Sequence, residues 1–217
     1  MKKKLSDLTK IIMNNFDTSL KSANVPPLFF NSWEHCSSTR RDVFCHSVFL
    51  SILNDVIQAL PNVSQTAVDV RLTSRSPDDG HIVKWQPDIV ALTREGEGYC
   101  PVLYADFESP NSSDLRILAK DIEGYHRWLD NGGTQVPYIL VVVLPDQTGG
   151  YWPLRYTGKT QYNSVVNGRN NELKELGPKK FWLDQFRQTL RKNPIDLSDI
   201  SIINIGNGFP ELLKISP

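Results

Sequence analysis

Pro87-Asp88 and Asp106-Phe107-Glu108 are the residue groups best suited to chemistry in this chain. Each lies at the end of an apolar run that reads as a β-strand, "IVKWQPDIVAL" for the first and "VLYADFESP" for the second. Two such strands paired side by side bring three carboxylates to one place. Carboxylate oxygens suit a hard divalent cation such as Mg²⁺. Strand alternation puts Tyr104, Asp106 and Glu108 on one face, and Leu103, Ala105 and Phe107 on the other. Two carboxylates on one face repel unless a cation or a basic group lies between them.

The flanking sequence supplies elements to hold these strands. Leu5, Leu8, Ile12, Phe16 and Leu20 have helical spacing, so residues 5–21 read as an amphipathic helix, which Pro26 and Pro27 end. A second helix is expected from about Thr39, where Thr39 and Asp42 have capping-box spacing, to Pro61. "TAVDVRLTS" reads as one strand, "RSPDDG" as a turn, residues 82–92 as a second strand, "TREGEG" as a turn, and residues 101–108 as a third strand. Leu115, Leu118, Ile122, Tyr125 and Leu129 then define a helix over 112–130, ended by "NGG". "VPYILVVVLP" is continuously apolar, as a strand buried on both faces would be. The expected order is α-β-β-β-α-β: a meander of three strands, then a right-handed crossover to a fourth strand parallel to the third. After Pro145 the pattern weakens. "YWPLRYT" reads as a strand, "KKFWLDQFRQTLRK" as a basic helix and "DISIINI" as a last strand.

A chain of 217 residues fits one domain with small additions, with enough length to bury a core. Lys plus Arg and Asp plus Glu both number 24, so the formal charge is zero and a nucleic-acid ligand would need a local basic patch. Arg40, Arg41, Arg71, Arg75 and Lys84 offer one such group. Lys179, Lys180, Arg187, Arg191 and Lys192 offer another, although a solvated face explains either set. Cys36, Cys45 and Cys100 form no framework spacing, which suggests reduced thiols. His35 and His46 beside the first two match no standard zinc spacing. The basic start, Met1-Lys2-Lys3-Lys4, lacks an apolar stretch behind it, and no run is long enough to span a membrane. A soluble, cytoplasmic protein is expected, with export by a route that uses no such signal left open.

Pro-Asp on one strand and acid-x-acid at the end of the next, within an α-β-β-β-α-β order, resemble the PD-(D/E)xK nuclease superfamily. "DFESPNSSDLRILAKDIEGYHRW" is most similar to the Uma-type restriction-endonuclease-like branch, which carries an acid, two further residues, Ser-Pro, and then a helix with a lysine and a tyrosine. The resemblance covers about residues 34–145. It implies an α/β restriction-endonuclease-like core with a mixed central sheet flanked by helices. It also implies three parts: an N-terminal helical extension at 1–30, the core at 31–145, and a C-terminal extension over 146–217 packing on that core. The implied activity is metal-dependent hydrolysis of phosphodiester bonds, with nucleic acid, DNA above all, as substrate. Asp88 and Asp106 would hold Mg²⁺ or Mn²⁺, with the Phe107 carbonyl as a further ligand.

The superfamily's usual lysine, two residues after the second acid, is here Glu108. Glu108 would bind metal or act as a base, or a lysine would come from the following helix, where Lys120 is the candidate. Counting about 100° per residue from Leu115, Lys120 points away from that helix's apolar face. Glu34, ahead of the first core helix, stands where such nucleases carry another acid. Ser109-Pro110-Asn111 turns the chain, and Asn111, Ser112 or Ser113 would cap the helix. The competing reading is a nuclease fold that has lost catalysis and serves binding or assembly. A carboxylate-rich hydrolase of another substrate is a third. Pairing of two copies, through residues 5–21 or the tail, is compatible with each.

Overall fold

The continuously apolar runs form the centre of a sheet, because only a strand covered on both faces can bury every side chain. In the computed structural model, which describes residues 2–22, 46–108, 116, 118–144, 146, 172, 175–207 and 209–215, one such run, β6 (Tyr138–Val142), lies beside β7 (Ile200–Asn204). Both strands are buried at every position, although β7 carries the polar Ser201 and Asn204. Around them a six-stranded sheet has the order β1-β4-β5-β6-β7-β8, with β1 (Gln65–Val68), β4 (Ile89–Glu95), β5 (Gly98–Glu108) and β8 (Glu211–Leu212). β1, β4 and β5 are antiparallel neighbours. β5, β6 and β7 run parallel, and β8 returns antiparallel. The sheet is therefore mixed, and the fold is α/β.

Helices cover both faces. α1 (Lys2–Ser22) packs on α2 (Ser51–Gln58) and on β7, burying Leu5, Ile12, Phe16 and Leu20 with half-buried Leu8. Thr9 is buried in the same seam, where its hydroxyl lies 2.8 Å from Ser201 Oγ. This layer meets Leu103, Ala105 and Phe107 of β5. The opposite layer is α3 (Lys120–Asp130) with α4 (Pro178–Lys192), and it meets Tyr104, Tyr138, Leu140 and Val142. The alternation expected of β5 is thus realised, with Tyr104 and Phe107 in different cores.

Several elements differ from their expected form. "TAVDVRLTS" is two strands, β1 and β2 (Leu72–Arg75), and residues 82–92 are also two, β3 (Ile82–Trp85) and β4. The cause is a shared kink in one long hairpin. Asp69 adopts φ 55°, a left-handed conformation that Asp tolerates better than most residues. It faces Asp88, whose carbonyl accepts the Asp69 N–H at 3.0 Å. The next position faces Pro87, which has no N–H to give a ladder. Below the kink β1 and β4 join the main sheet. Beyond it β2 and β3 leave as a separate two-stranded ribbon.

α3 begins at Lys120 rather than 112. Arg116, Leu118 and Ala119 lie in a turn that feeds it, with the Lys120 N–H bound to the Arg116 carbonyl at 2.9 Å. Leu118 keeps the helix's burial phase from within the turn, so apolar spacing alone extends the helix too far. Residues 112–115 lie outside the described residues, as do Thr39, Asp42 and "YWPLRYT". The described part of the second helix opens with a π-helical turn, His46–Leu50, before α2. The tail over 146–217, expected to pack on the core, supplies α4 to one layer and β7 and β8 to the sheet itself. Among the described residues no helix is long and apolar enough to cross a membrane.

Candidate active site

β4 runs antiparallel to β5, so the start of β4 and the end of β5 meet at one edge of the sheet. Pro87 ends the ribbon and hands Asp88 to that edge. Asp88 and Asp106 then clasp each other's strands. The Asp88 N–H donates to Asp106 Oδ1 at 2.7 Å, and the Phe107 N–H donates to Asp88 Oδ2 at 2.7 Å. The second oxygen of Asp106, Oδ2, accepts the Tyr138 hydroxyl at 2.5 Å. Tyr138 opens β6, the parallel neighbour of β5, and is fully buried against Trp85 and Tyr125. Asp106 itself is only 6% exposed.

Glu108 lies two residues further along β5 on the same face. Lys120, the first residue of α3, places Nζ 2.5 Å from Glu108 Oε1. The angular count is right that Lys120 lies on the exposed side of its helix. The side chain still reaches the site, because α3 starts beside the end of β5. Asp121, one residue later, lies close enough to Glu108 for each to perturb the other's ionisation, and its Oδ2 is buried with no hydrogen-bond partner among the described residues. Four carboxylates and one lysine therefore converge from β4, β5 and α3. Glu34 lies outside the described residues, as do Ser109–Ser113, Arg40, Arg41, Cys36, Cys45 and His35.

The electrostatics follow from this crowding. Burial, then the charges of Asp121 and Asp88, push the Asp106 carboxyl up to about 8, against the pull of the Tyr138 and Asp88 hydrogen bonds. Burial and the neighbouring Glu108 push Asp121 up to about 8 as well, with Lys120 opposing. Glu108 is raised by burial, and Lys120 offsets part of that. Burial and the nearby acids raise Tyr138 well above the ordinary phenol range, so it remains a neutral donor to Asp106. Excess negative charge with one compensating lysine is an environment that favours a proton or a cation.

A hard divalent cation fits this site in the chemistry of its donors and in its charge. All the acidic groups offer oxygen, and the buried Oδ2 of Asp121 has no hydrogen-bond partner among the described residues. As arranged, though, the described residues include no group of three or more His, Cys, Asp or Glu positioned to hold a metal ion. Both Asp106 oxygens already accept hydrogen bonds from the protein.

Sequence reasoning missed Asp121 and Tyr138. An acid in the first turn of a helix reads as a partner for the helix dipole, which hides any other role. Tyr138 carried a visible signal, as the one hydroxyl in the apolar run "VPYILVVVLP". Comparison with protein-family models, with curated proteins and with solved structures found no match.

Proposed function

We propose that this protein is a PD-(D/E)xK-type nuclease that hydrolyses phosphodiester bonds of nucleic acid, DNA above all, with Mg²⁺ or Mn²⁺. The observation that carries the reading is the convergence of Asp88, Asp106, Glu108, Asp121 and Lys120 at one sheet edge, with two acids pushed to about 8. The strand order β1-β4-β5-β6, antiparallel and then parallel, agrees with the restriction-endonuclease-like core implied by the motifs.

Asp88, Asp106 and Glu108 would hold the cation, with the Phe107 carbonyl as a further ligand. When bound, the cation would supply an activated water and charge stabilisation on the phosphate. The chain's own groups do the rest. The reciprocal bonds between Asp88 and the β5 backbone fix the two acids relative to each other. The Tyr138 hydroxyl fixes the Asp106 carboxylate plane. Lys120, held at Glu108, is a partly exposed positive charge at the mouth of the site. It takes the place of the lysine that the superfamily usually carries at the position of Glu108.

A second reading, a nuclease fold used for binding or assembly without catalysis, is favoured by one observation. The two oxygens of Asp106 are both satisfied within the protein. One experiment separates the two readings. Purified protein and an Asp106→Ala variant are incubated with labelled double- and single-stranded DNA and with RNA, plus Mg²⁺ or Mn²⁺. Cleavage that requires the metal and disappears in the variant is expected. No cleavage of any substrate, together with no calorimetric Mn²⁺ binding, would leave the second reading in place.

A further inference from the structure

Resting on the nuclease reading above, we propose that the β2–β3 ribbon is the surface that grips the phosphate backbone of a nucleic-acid duplex beside the acidic site. The ribbon stands apart from the main sheet, and its two faces differ sharply. Cross-strand pairing sets Leu72 opposite Trp85 and Ser74 opposite Val83, and these four side chains turn inward. Thr73 pairs with Lys84, and Arg75 with Ile82, and these four are exposed, as is Arg71 just before β2. Between Arg71 and Gln86 the outer face therefore carries cations and no acid, with exposed Asp69 at the kink below it. The ribbon's acids, Asp78 and Asp79, sit in the connecting turn, where Asp79 pairs with His81. Among the described residues Arg71, Arg75 and Lys84 have no ion-pair partner, and neither do Lys180, Arg191 and Lys192 of α4, whereas Lys21, Arg116, Lys120, Lys179 and Arg187 each have at least one.

The ribbon is anchored, not free. Trp85 packs on Tyr104, Tyr125, Trp128 and Tyr138, and lies against Gly124 in the middle of α3. Ser74 Oγ donates to the Asn131 carbonyl at the end of α3 at 2.7 Å. Because α3 begins at the acidic site, the ribbon follows the helix away from it. Eleven helical residues span roughly 16 Å, about five steps of a duplex at 3.4 Å each. The base of the ribbon continues directly through Pro87 into Asp88. A two-stranded ribbon is also an element that the major groove admits. Charges laid along such an element would set the register of a duplex without reading its bases.

The test is fluorescence anisotropy with a labelled DNA duplex of about 20 base pairs, in chelator so that cleavage does not enter, across a salt series. The variants are Arg71→Ala/Arg75→Ala/Lys84→Ala, its lysine-preserving counterpart Arg71→Lys/Arg75→Lys, and a control of equal charge loss on α4, Lys180→Ala/Arg191→Ala/Lys192→Ala. The ribbon alanine variant is expected to bind at least about tenfold more weakly. Its log K against log salt slope should fall by roughly 2 to 3, since each phosphate contact contributes about 0.9. The lysine variant and the α4 control should stay within about threefold of wild type. Three results overturn the proposal: no duplex binding by the wild type, an unchanged slope in the ribbon variant, or an equal loss in the control. If the triple alanine variant is misfolded by circular dichroism, the single changes Arg75→Ala and Lys84→Ala at exposed positions keep the test decisive, each with an expected slope change of about 0.9. Binding without metal-dependent cleavage would sink the nuclease reading and leave the ribbon standing. Cleavage by the ribbon variant with unchanged KM would do the reverse.

Discussion

At the end of β7, Asn204 is completely buried and every polar atom of its side chain is engaged. Its Oδ1 accepts the Leu144 and Gly206 N–H groups, and its Nδ2 donates to the Leu144 carbonyl and to Glu211. Nearby, Lys179 lies 2.5 Å from Asp146 and 3.0 Å from Glu211. Burial lowers the Lys179 pKa, but its hydrogen bonds to these two acids outweigh that and raise it. Two strands away on the same sheet edge, the end of β5 is built in the opposite sense. There, among the described residues, four acids face one lysine, two of the acids are pushed to about 8, and a buried carboxylate oxygen has no hydrogen-bond partner. A polar cluster that satisfies itself rigidifies a fold. One that leaves charge uncompensated has a requirement that only a proton, a cation or a ligand can meet. The contrast is the reason to propose the end of β5, and not the end of β7, as the functional site.

The contrast breaks most readily at Asn204. Asn204→Ala removes three buried hydrogen bonds and one part-buried one, and at about 1 kcal/mol each the expected loss is about 4 kcal/mol of stability, read by urea denaturation. Calorimetric Mn²⁺ affinity should be unchanged wherever the variant remains folded. A change in that affinity would mean the two clusters are coupled.

The next effect is on stability against pH. The Asp106 carboxyl is raised in the folded state, so its contribution is fully present below the unfolded value near 4 and is lost as pH rises through about 8. Between those limits the expected slope is about 1.4 kcal/mol per pH unit for this one group. Asp106→Asn should flatten the slope, and Mn²⁺ should raise Tm more at pH 8 than at pH 5. A profile that is level from pH 4 to 8 would mean the cluster is compensated after all.

Much of this site can be read without coordinates. Asp88, Asp106 and Glu108 stand out because acids interrupt apolar strands, and period-two alternation correctly puts Phe107 in a different core from Tyr104. The kink at Asp69 and Pro87 is harder to read. Both flanking runs are β-branched and continuous in pattern, and only their pairing reveals that one half of the hairpin leaves the sheet. Asp121 and Tyr138 are illegible for a similar reason, since each joins the site through a neighbour remote in sequence.

Tyr138→Phe sharpens the comparison at smaller scale. It removes the hydroxyl from Asp106 and should cost about 1–2 kcal/mol, while weakening Mn²⁺ binding because the carboxylate loses its orientation. A drop in stability with identical metal affinity would assign Tyr138 to the self-satisfied class. Smallest of all is Lys120→Ala, with a side chain 45% exposed. Its ion pair should contribute no more than about 1 kcal/mol to stability. A large loss of cleavage with little loss of Tm would place this lysine in the chemistry.

The sequence by itself determined which residues carry charge into apolar strands and which faces those strands bury, because periodicity and residue type act locally. It also determined the α/β order, through strand and helix periodicity and one run, "VPYILVVVLP", apolar enough to be a strand buried on both faces. Only the tertiary structure decided which acids meet. Lys120 and Asp121 reach Glu108 because α3 begins where β5 ends, and Tyr138 reaches Asp106 because β6 lies parallel to β5. These are consequences of packing between distant segments. The same packing takes Asp106 out of water, and desolvation, more than any neighbouring charge, is what moves its pKa.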